Sequence, residues 1–275
     1  MTGLGGENVS VRPRLVPVVL LAGLLTACGD PAPAIEPGDR PSVAPSLPAD
    51  GGQARAELAA RAALAEDHRF SALYTWDVDG SQRSVVATVA NDGSWRVDIP
   101  GGARGGTADV SVVQTGEGLF QCALPSATSP TNPSCVRVAD PDKRIPDAYD
   151  PKIQRVFRQW LPVFTDRQAA LSVVPALPLA GSQGRCYSIE GISASLAAPV
   201  DVGIYCYADT GLLTAVRVNA GTLTLSGAPA PAPPKVDLPG PVVGGEPMGM
   251  ASPPPPPAVS PSGPGDGDAG ATRVG

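Results

Sequence analysis

Short runs of alternating apolar and polar residues, separated by turn residues, dominate the middle of this sequence. In the first run Phe70 and Tyr74 alternate with polar neighbours, which is the two-residue period of a half-buried strand. An Asp-Gly pair at residues 79–80 then favours a tight hairpin turn. Similar runs fill residues 81–138 and resume over residues 185–225. The sequence therefore predicts an antiparallel sheet of about ten strands.

Two amphipathic segments are expected to form helices. Residues 53–67 are rich in good helix formers, and Leu58, Ala62 and Ala65 give them a narrow apolar stripe. A second helix is expected to begin at Asp150, because an aspartate cap followed by proline is typical of a helix start. Its predicted apolar face consists of Ile153, Val156, Phe157, Trp160 and Leu161, with Lys152, Arg155 and Arg158 on the polar side and Pro162 at the end.

These two helices are the only cover that the sequence offers for the apolar face of the sheet. They cannot tile it as a flat layer, because open sheets of about ten strands curl. The predicted fold class is therefore α+β: a curved antiparallel half-barrel sheet of about ten strands with two main covering helices.

The N-terminal region has the features of a bacterial targeting signal. An apolar run at residues 15–25 follows two arginines and ends in Leu25, Thr26, Ala27 and Cys28. A leucine, two small residues and a cysteine in this position resemble the lipobox of bacterial lipoproteins. The resemblance implies that residues 1–27 are a signal peptide and that Cys28 carries the lipid, at the extracytoplasmic face of the cell membrane. The alternatives are an ordinary secretory cleavage site or a membrane span, but eleven apolar residues fall short of the roughly 20 that a span needs.

Two segments of low apolar content flank the predicted domain. Residues 28–50 are rich in Pro, Ala, Asp and Ser and are expected to be a disordered tether between the lipid and the domain at residues 51–226. Residues 227–275 are rich in Pro and Gly and are expected to be a disordered tail. The five consecutive prolines at residues 253–257 leave open that the tail binds an envelope protein.

Removing Cys28 from the count leaves four cysteines, an even set for an oxidising compartment. Four cysteines allow three disulfide connectivities. We favour Cys122 with Cys135 and Cys186 with Cys206, because each pair brackets one strand, one connection and the next strand. A zinc site is the alternative, but no C-x-x-C spacing is present.

Charge and motif content argue against several functions. The net charge of −6 does not favour nucleic acid, whose phosphates require clustered Lys and Arg. The single histidine, His68, lies where a helix should give way to a strand, and no nucleophile elbow or phosphate-binding loop accompanies it. We expect no catalytic residues, no metal and no cofactor, and hence no enzyme.

The order of elements resembles the LolA-like lipoprotein fold, and more closely a group of actinomycete lipoproteins with LppX- or LprG-like half-barrel domains. The resemblance rests on an N-terminal helix, a strand meander that includes the Asp-Gly-Ser-Trp-Arg-Val-Asp-Ile segment at residues 92–99, a mid-chain helix, and further strands. It implies a carrier or sensor that binds an acyl chain, a lipid or a lipopeptide in a cavity. The candidate lining residues are Phe70, Tyr74, Trp76, Trp95, Val97, Ile99, Phe157 and Trp160.

The same apolar residues are also compatible with a filled interior, since protein cores pack without large voids. The alternative hypothesis is therefore an envelope scaffold or protein-interaction module that has a packed core and no ligand.

Overall fold

The computed structural model describes residues 49–126, 130, 132–192, 199–252 and 275. Cys28, the signal peptide and the tether up to residue 48 lie outside these residues. The described strands form one open sheet with the order β6-β5-β4-β3-β2-β1-β11-β10-β9-β8-β7. They are β1 (Phe70–Val78), β2 (Ser81–Val89), β3 (Trp95–Ala103), β4 (Ala108–Thr115), β5 (Gly118–Ala123), β6 (Ser134–Ala139), β7 (Leu171–Ala176), β8 (Arg185–Gly191), β9 (Gly203–Tyr207), β10 (Leu213–Val218) and β11 (Gly221–Leu225).

Neighbouring strands of this sheet are antiparallel, so the expected antiparallel sheet is confirmed, with eleven strands where about ten were predicted. The first six strands form one meander and the last five form another. The two meanders join in the centre through β1 and β11, with Tyr74 opposite Leu225 and Trp76 opposite Leu223. The first and last strands of the chain, β1 and β11, therefore lie in the centre of the sheet. Its edges are β6 and β7, which come from the middle of the chain. An open sheet of this size is consistent with a curved half-barrel.

Consecutive residues on the strands point to opposite faces of the sheet, and the two faces are covered differently. On β4, Val112 belongs to the large apolar cluster that includes the helix, whereas Val113 belongs to a smaller cluster on the other side. The same division separates Leu119 from Phe120 on β5. We call the side of the large cluster the inner face and the opposite side the outer face.

Helix α1 (Ala49–Asp67) covers part of the inner face. Leu58, Ala62 and Ala65 are buried against the sheet, as the apolar stripe predicted. Its last carbonyl groups are bound by arginines: Arg158 Nη1 donates to the Glu66 carbonyl at 2.6 Å, and Arg69 Nη1 donates to the same oxygen at 2.7 Å. Positive charge at a helix C-terminus is stabilising, because the unpaired carbonyl groups there carry partial negative charge.

The prediction of a regular helix that begins at Asp150 is wrong. The chain forms short 3₁₀ turns at Asp147–Tyr149 and Ile153–Val156 and then a five-residue helix, α2 (Leu161–Thr165), with Pro162 in its first turn instead of at a helix end. Lys152 has a positive φ of 68°, which interrupts any helix begun at residue 150.

The predicted apolar residues of this segment still face inward. Those buried in the large cluster are Ile153, Val156, Phe157, Trp160 and Leu161. Arg155 was expected on the polar side but is buried as well. We call residues 140–170 the covering segment, because it completes the inner layer that α1 begins.

The structure contains both of the disulfides that we favoured from the sequence. Cys122 on β5 lies directly opposite Cys135 on β6, and Cys186 on β8 lies directly opposite Cys206 on β9. Both bonds lie on the outer face, where each belongs to its own small apolar cluster. One disulfide therefore joins neighbouring strands at one end of the sheet, and the other joins neighbouring strands near the opposite end.

Residues 227–252, the first part of the expected tail, lie against the domain in this structure, and we call them the strap. The strap leaves β11, crosses the outer face over β1 to β6, and passes the edge strand β6. Val236 packs into the outer cluster around Cys122, whereas Met248 packs against the inner cluster. The polyproline run and the rest of the tail up to residue 274 lie outside the described residues.

Candidate functional site

The eight residues proposed to line a ligand cavity are brought together in one buried apolar cluster. All eight are buried and belong to the single large apolar cluster of the inner face: Phe70, Tyr74, Trp76, Trp95, Val97, Ile99, Phe157 and Trp160. Six come from β1 and β3, and Phe157 and Trp160 come from the covering segment. Side chains of the sheet and of the covering segment thus contact one another across the inner face.

Aromatic contacts between the two layers account for this packing. Tyr74 and Phe157 meet edge to face with ring centroids 5.0 Å apart. Tyr205 makes two further contacts of this kind, with Trp160 at 6.0 Å and with Phe164 at 5.2 Å. Such pairs add roughly 0.5–1.5 kcal/mol each beyond their area burial.

Sequence reasoning did not single out Phe164, Tyr205 or Tyr207, although all three are buried in the same cluster. Tyr205 and Tyr207 share one face of β9, and their alternation in a predicted strand was the available signal.

Polar atoms at the edges of this interior are bound within the protein. Tyr74 Oη donates to the Leu213 carbonyl at 2.9 Å, and Trp76 Nε1 donates to the Ala220 carbonyl at 2.8 Å. Tyr205 Oη donates to the Asp201 carbonyl at 2.7 Å. Tyr207 Oη is buried and has no hydrogen-bond partner among the described residues. Burial raises the pKa of Tyr74, Tyr205 and Tyr207 well above the ordinary tyrosine value, since a buried phenolate would lose its hydration.

A buried ion pair holds the covering segment in its irregular conformation. Asp150 is almost fully buried and forms a salt bridge with Arg155, whose Nε donates at 2.8 Å. The second oxygen of the Asp150 carboxylate accepts from the Lys152 backbone N–H and from Gln154 Nε2, both at 2.7 Å. Removing one partner of such a pair would cost about 3–5 kcal/mol, because the other charge stays buried. Asp150 is thus the anchor of this segment instead of a helix cap.

A cleft of about 660 Å³ opens at one rim of the sheet, and we call it the rim cleft. Three connections line it: the turn between β2 and β3, the turn between β4 and β5, and residues 141–144 after β6. Glu66 at the end of α1 and Arg158 and Gln159 of the covering segment complete it. Of the predicted cavity residues, only Trp95 reaches its wall.

Charges of both signs surround the rim cleft, and several are committed to the fold. Asp92 Oδ1 accepts from the Ser94 hydroxyl and N–H, and the hydroxyl hydrogen bond is the main cause that lowers the pKa of Asp92. Asp142 accepts from Gln114 Nε2 at 2.7 Å. Arg158 binds the end of α1, and its burial lowers its pKa from the ordinary arginine value.

Other side chains of the cleft are available to a ligand. The carboxylate of Glu66, the ammonium of Lys143 and the amide of Gln159 make no hydrogen bond or ion pair with the described residues. The cleft can therefore contact a polar partner that carries both donors and acceptors, whereas its mixed lining is unsuited to an acyl chain.

The structure gives little else from which to build a site. Across the described ranges no group of three or more His, Cys, Asp and Glu residues is placed to hold a metal ion. In that same part of the chain no helix is long and apolar enough to cross a bilayer. The ring of His68 lies 5.5 Å from that of Phe70, beside the end of α1. No protein-family model matches the chain, and no curated protein sequence matches it.

We expect Tyr74, Tyr205 and Tyr207 to ionise only when the protein unfolds in alkali. Their folded pKa values lie above the ordinary value of 10.0, so this contribution to stability is fully present below pH 10 and is lost as the pH rises beyond it. A titration that follows phenolate absorbance and circular dichroism together checks this.

Tyr149 is the internal control, because its hydroxyl donates to Glu246 at the surface. It should lose its proton reversibly while the circular dichroism is still native. Phenolate signal from the inner-face tyrosines in the native state would contradict a packed inner face. The variants Tyr74→Phe and Tyr205→Phe show which tyrosine gives each ionisation step in the titration.

Proposed function

We propose that this chain is an extracytoplasmic protein, anchored to the cell membrane by a lipid on Cys28, whose folded domain acts as an envelope scaffold or protein-interaction module. The observation that carries the proposal is the packed inner face: the residues expected to line an acyl-chain cavity contact one another and the covering segment. A carrier needs a space that its cargo can enter. In this proposal the domain has no catalytic role, and its partner is a protein, not a nucleic acid.

The rim cleft supports recognition through the surface. Loops placed by a rigid sheet are common binding elements, because they are exposed while their ends are fixed. Three such connections meet at the rim cleft with Lys143, Glu66 and Gln159 free to make new contacts. Residues 227–252 of the tail are docked on the domain, so a partner of the tail would meet them as part of the folded surface.

The membrane anchor can be tested at Cys28. A Cys28→Ala variant has no thiol to acylate, so it should not incorporate labelled palmitate and should leave the membrane fraction. Two or three acyl chains contribute about 0.8 kcal/mol per buried methylene, so the native protein should stay in the membrane fraction even after a salt wash. Retention of the variant in the membrane would contradict a lipid anchor on this residue.

Native mass spectrometry separates the scaffold from the lipid carrier. Residues 49–275, produced in bacteria with both disulfides formed, should be detected at the mass of the protein without any bound ligand. Trp160→Ala is the matched control, because removing a large buried side chain leaves an apolar hole that small apolar molecules can enter. Acyl-chain adducts on the unaltered domain would overturn the proposal and favour the LolA-like carrier predicted from resemblance.

Site-specific crosslinking tests the rim cleft as the contact surface. A photoreactive amino acid at Lys143, exposed at the rim cleft, should give one adduct of defined mass in intact cells. The same amino acid at Gln82 is the control, since that residue is equally exposed but lies away from the cleft. Equal adducts at both positions, or none at Lys143, would argue against this surface.

A further inference from the structure

The strap is bound to the domain by hydrogen bonds to its own backbone. Ser71 and Ala230 exchange a pair of backbone hydrogen bonds at 3.0 and 2.7 Å. The N–H groups of Asn91 and Asp92 then donate to the carbonyls of Pro233 and Pro234 at 3.0 and 3.1 Å. Proline lacks a donor but keeps its carbonyl, so a proline-rich segment can dock wherever the domain supplies N–H groups.

The strap closes over the Cys122–Cys135 disulfide. Val236 packs in the outer cluster with both cysteines, and Leu238 packs against the same cluster. The Cys135 N–H donates to the Pro241 carbonyl at 2.9 Å, and the Val243 N–H donates to the Cys135 carbonyl at 2.8 Å. Both cysteines are 0% exposed, so no reductant can reach their sulfur atoms while the strap is in place.

Gly240 shows how closely the strap approaches at this point. A side chain at that position would collide with the backbone of Pro133, just before β6. The strap therefore lies against β6 at backbone distance, and a thiol reagent has no room to pass beneath it.

The second disulfide is covered in a different way. Cys186 and Cys206 lie under the connection between β7 and β8, where Leu179 is buried against them. Thr214 binds this connection through both the N–H and the carbonyl of Gln183, at 3.1 and 2.7 Å. Strands hold this connection at both ends, and Cys186 beneath it is 5% exposed, so the strap takes no part in covering this disulfide.

The strap, in contrast, continues from the sheet at one end only, where it leaves β11. Its far end is held by hydrogen bonds, in which the N–H groups of Arg104 and Gly105 donate to the Gly249 and Met250 carbonyls, both at 2.9 Å. The strap can detach without breaking a strand pairing within the sheet, since the contacts that hold it are its own. Local opening of this kind has a smaller free energy than global unfolding.

We propose that the strap is a gate on the Cys122–Cys135 disulfide, which a dithiol reductant can reduce only after the strap lifts, and that the strap does not protect Cys186–Cys206. A thiolate of the reductant attacks one sulfur, forms a mixed disulfide and releases the other cysteine as a thiolate. The second thiolate of the reductant then displaces the remaining cysteine. The reductant leaves as a disulfide, and two electrons and two protons end on Cys122 and Cys135. Reduction removes the covalent link between β5 and the edge strand β6. The gate does not depend on the proposed scaffold function.

The test uses the full chain with dithiothreitol under native conditions, alkylation of the freed thiols, and peptide mass spectrometry of each cysteine pair. In Val236→Asp the charged side chain cannot occupy the outer cluster, so Cys122–Cys135 should be reduced at least about tenfold faster than in the native chain. The rate for Cys186–Cys206 should not change. Val242→Asp is the matched control, because it adds the same charge to the strap at a side chain that is 53% exposed, and it should behave as the native chain does.

Two results would overturn the gate. Equal acceleration of both disulfides would mean that the whole sheet has loosened, and no acceleration of Cys122–Cys135 would mean that the strap does not protect it. If Val236→Asp does not fold, as judged by circular dichroism, Val236→Ala takes its place. That variant keeps an apolar surface and should show the same selectivity with a smaller increase in rate.

Discussion

A wide sheet with little helix to cover it is the constraint on which this structure depends. Eleven strands spaced about 4.8 Å apart span roughly 50 Å along a flat sheet. The nineteen residues of α1 reach only about 28 Å at 1.5 Å per residue. The remaining apolar surface must be buried by curvature and by other parts of the chain, and the covering segment supplies the large aromatic side chains that do so.

The covering segment is irregular, yet its large apolar side chains still reach the inner face. Ile153 lies in a 3₁₀ turn, Phe164 lies in the short helix α2, and Phe157 and Trp160 lie between them. The buried pair of Asp150 and Arg155 stabilises those turns, because Asp150 also accepts hydrogen bonds from the Lys152 N–H and from Gln154 Nε2. The residues that resembled a ligand-binding set thus belong to one apolar cluster with the covering segment.

The outer face repeats one arrangement at both ends of the sheet. Each end has a disulfide between neighbouring strands, a small apolar cluster around it, and a piece of chain without regular secondary structure on top. The strap covers one end and the connection between β7 and β8 covers the other. The two pieces of chain are independent, so in the proposed gate only the Cys122–Cys135 disulfide depends on the strap. The strap also covers the edge strand β6, whose unpaired backbone groups would otherwise be open to another strand.

Local pattern was sufficient for the strands, the first helix and the cysteine pairs. Alternation of residues such as Tyr74 and Trp76 reflects burial of one face, and Cys122 and Cys135 follow from the hairpin that contains them. The pairing of β1 with β11, the turns after Asp150 and the docking of the strap depend on contacts between residues far apart in sequence. A disordered tail was predicted because this proline-rich segment has few apolar side chains to bury. Its composition does not reveal that the N–H groups of Asn91 and Asp92 bind its carbonyl groups. The sequence alone thus determined which residues are buried in strands, since that depends on a two-residue period. Only the tertiary structure decided how the inner face is covered, because this depends on where the covering segment lies.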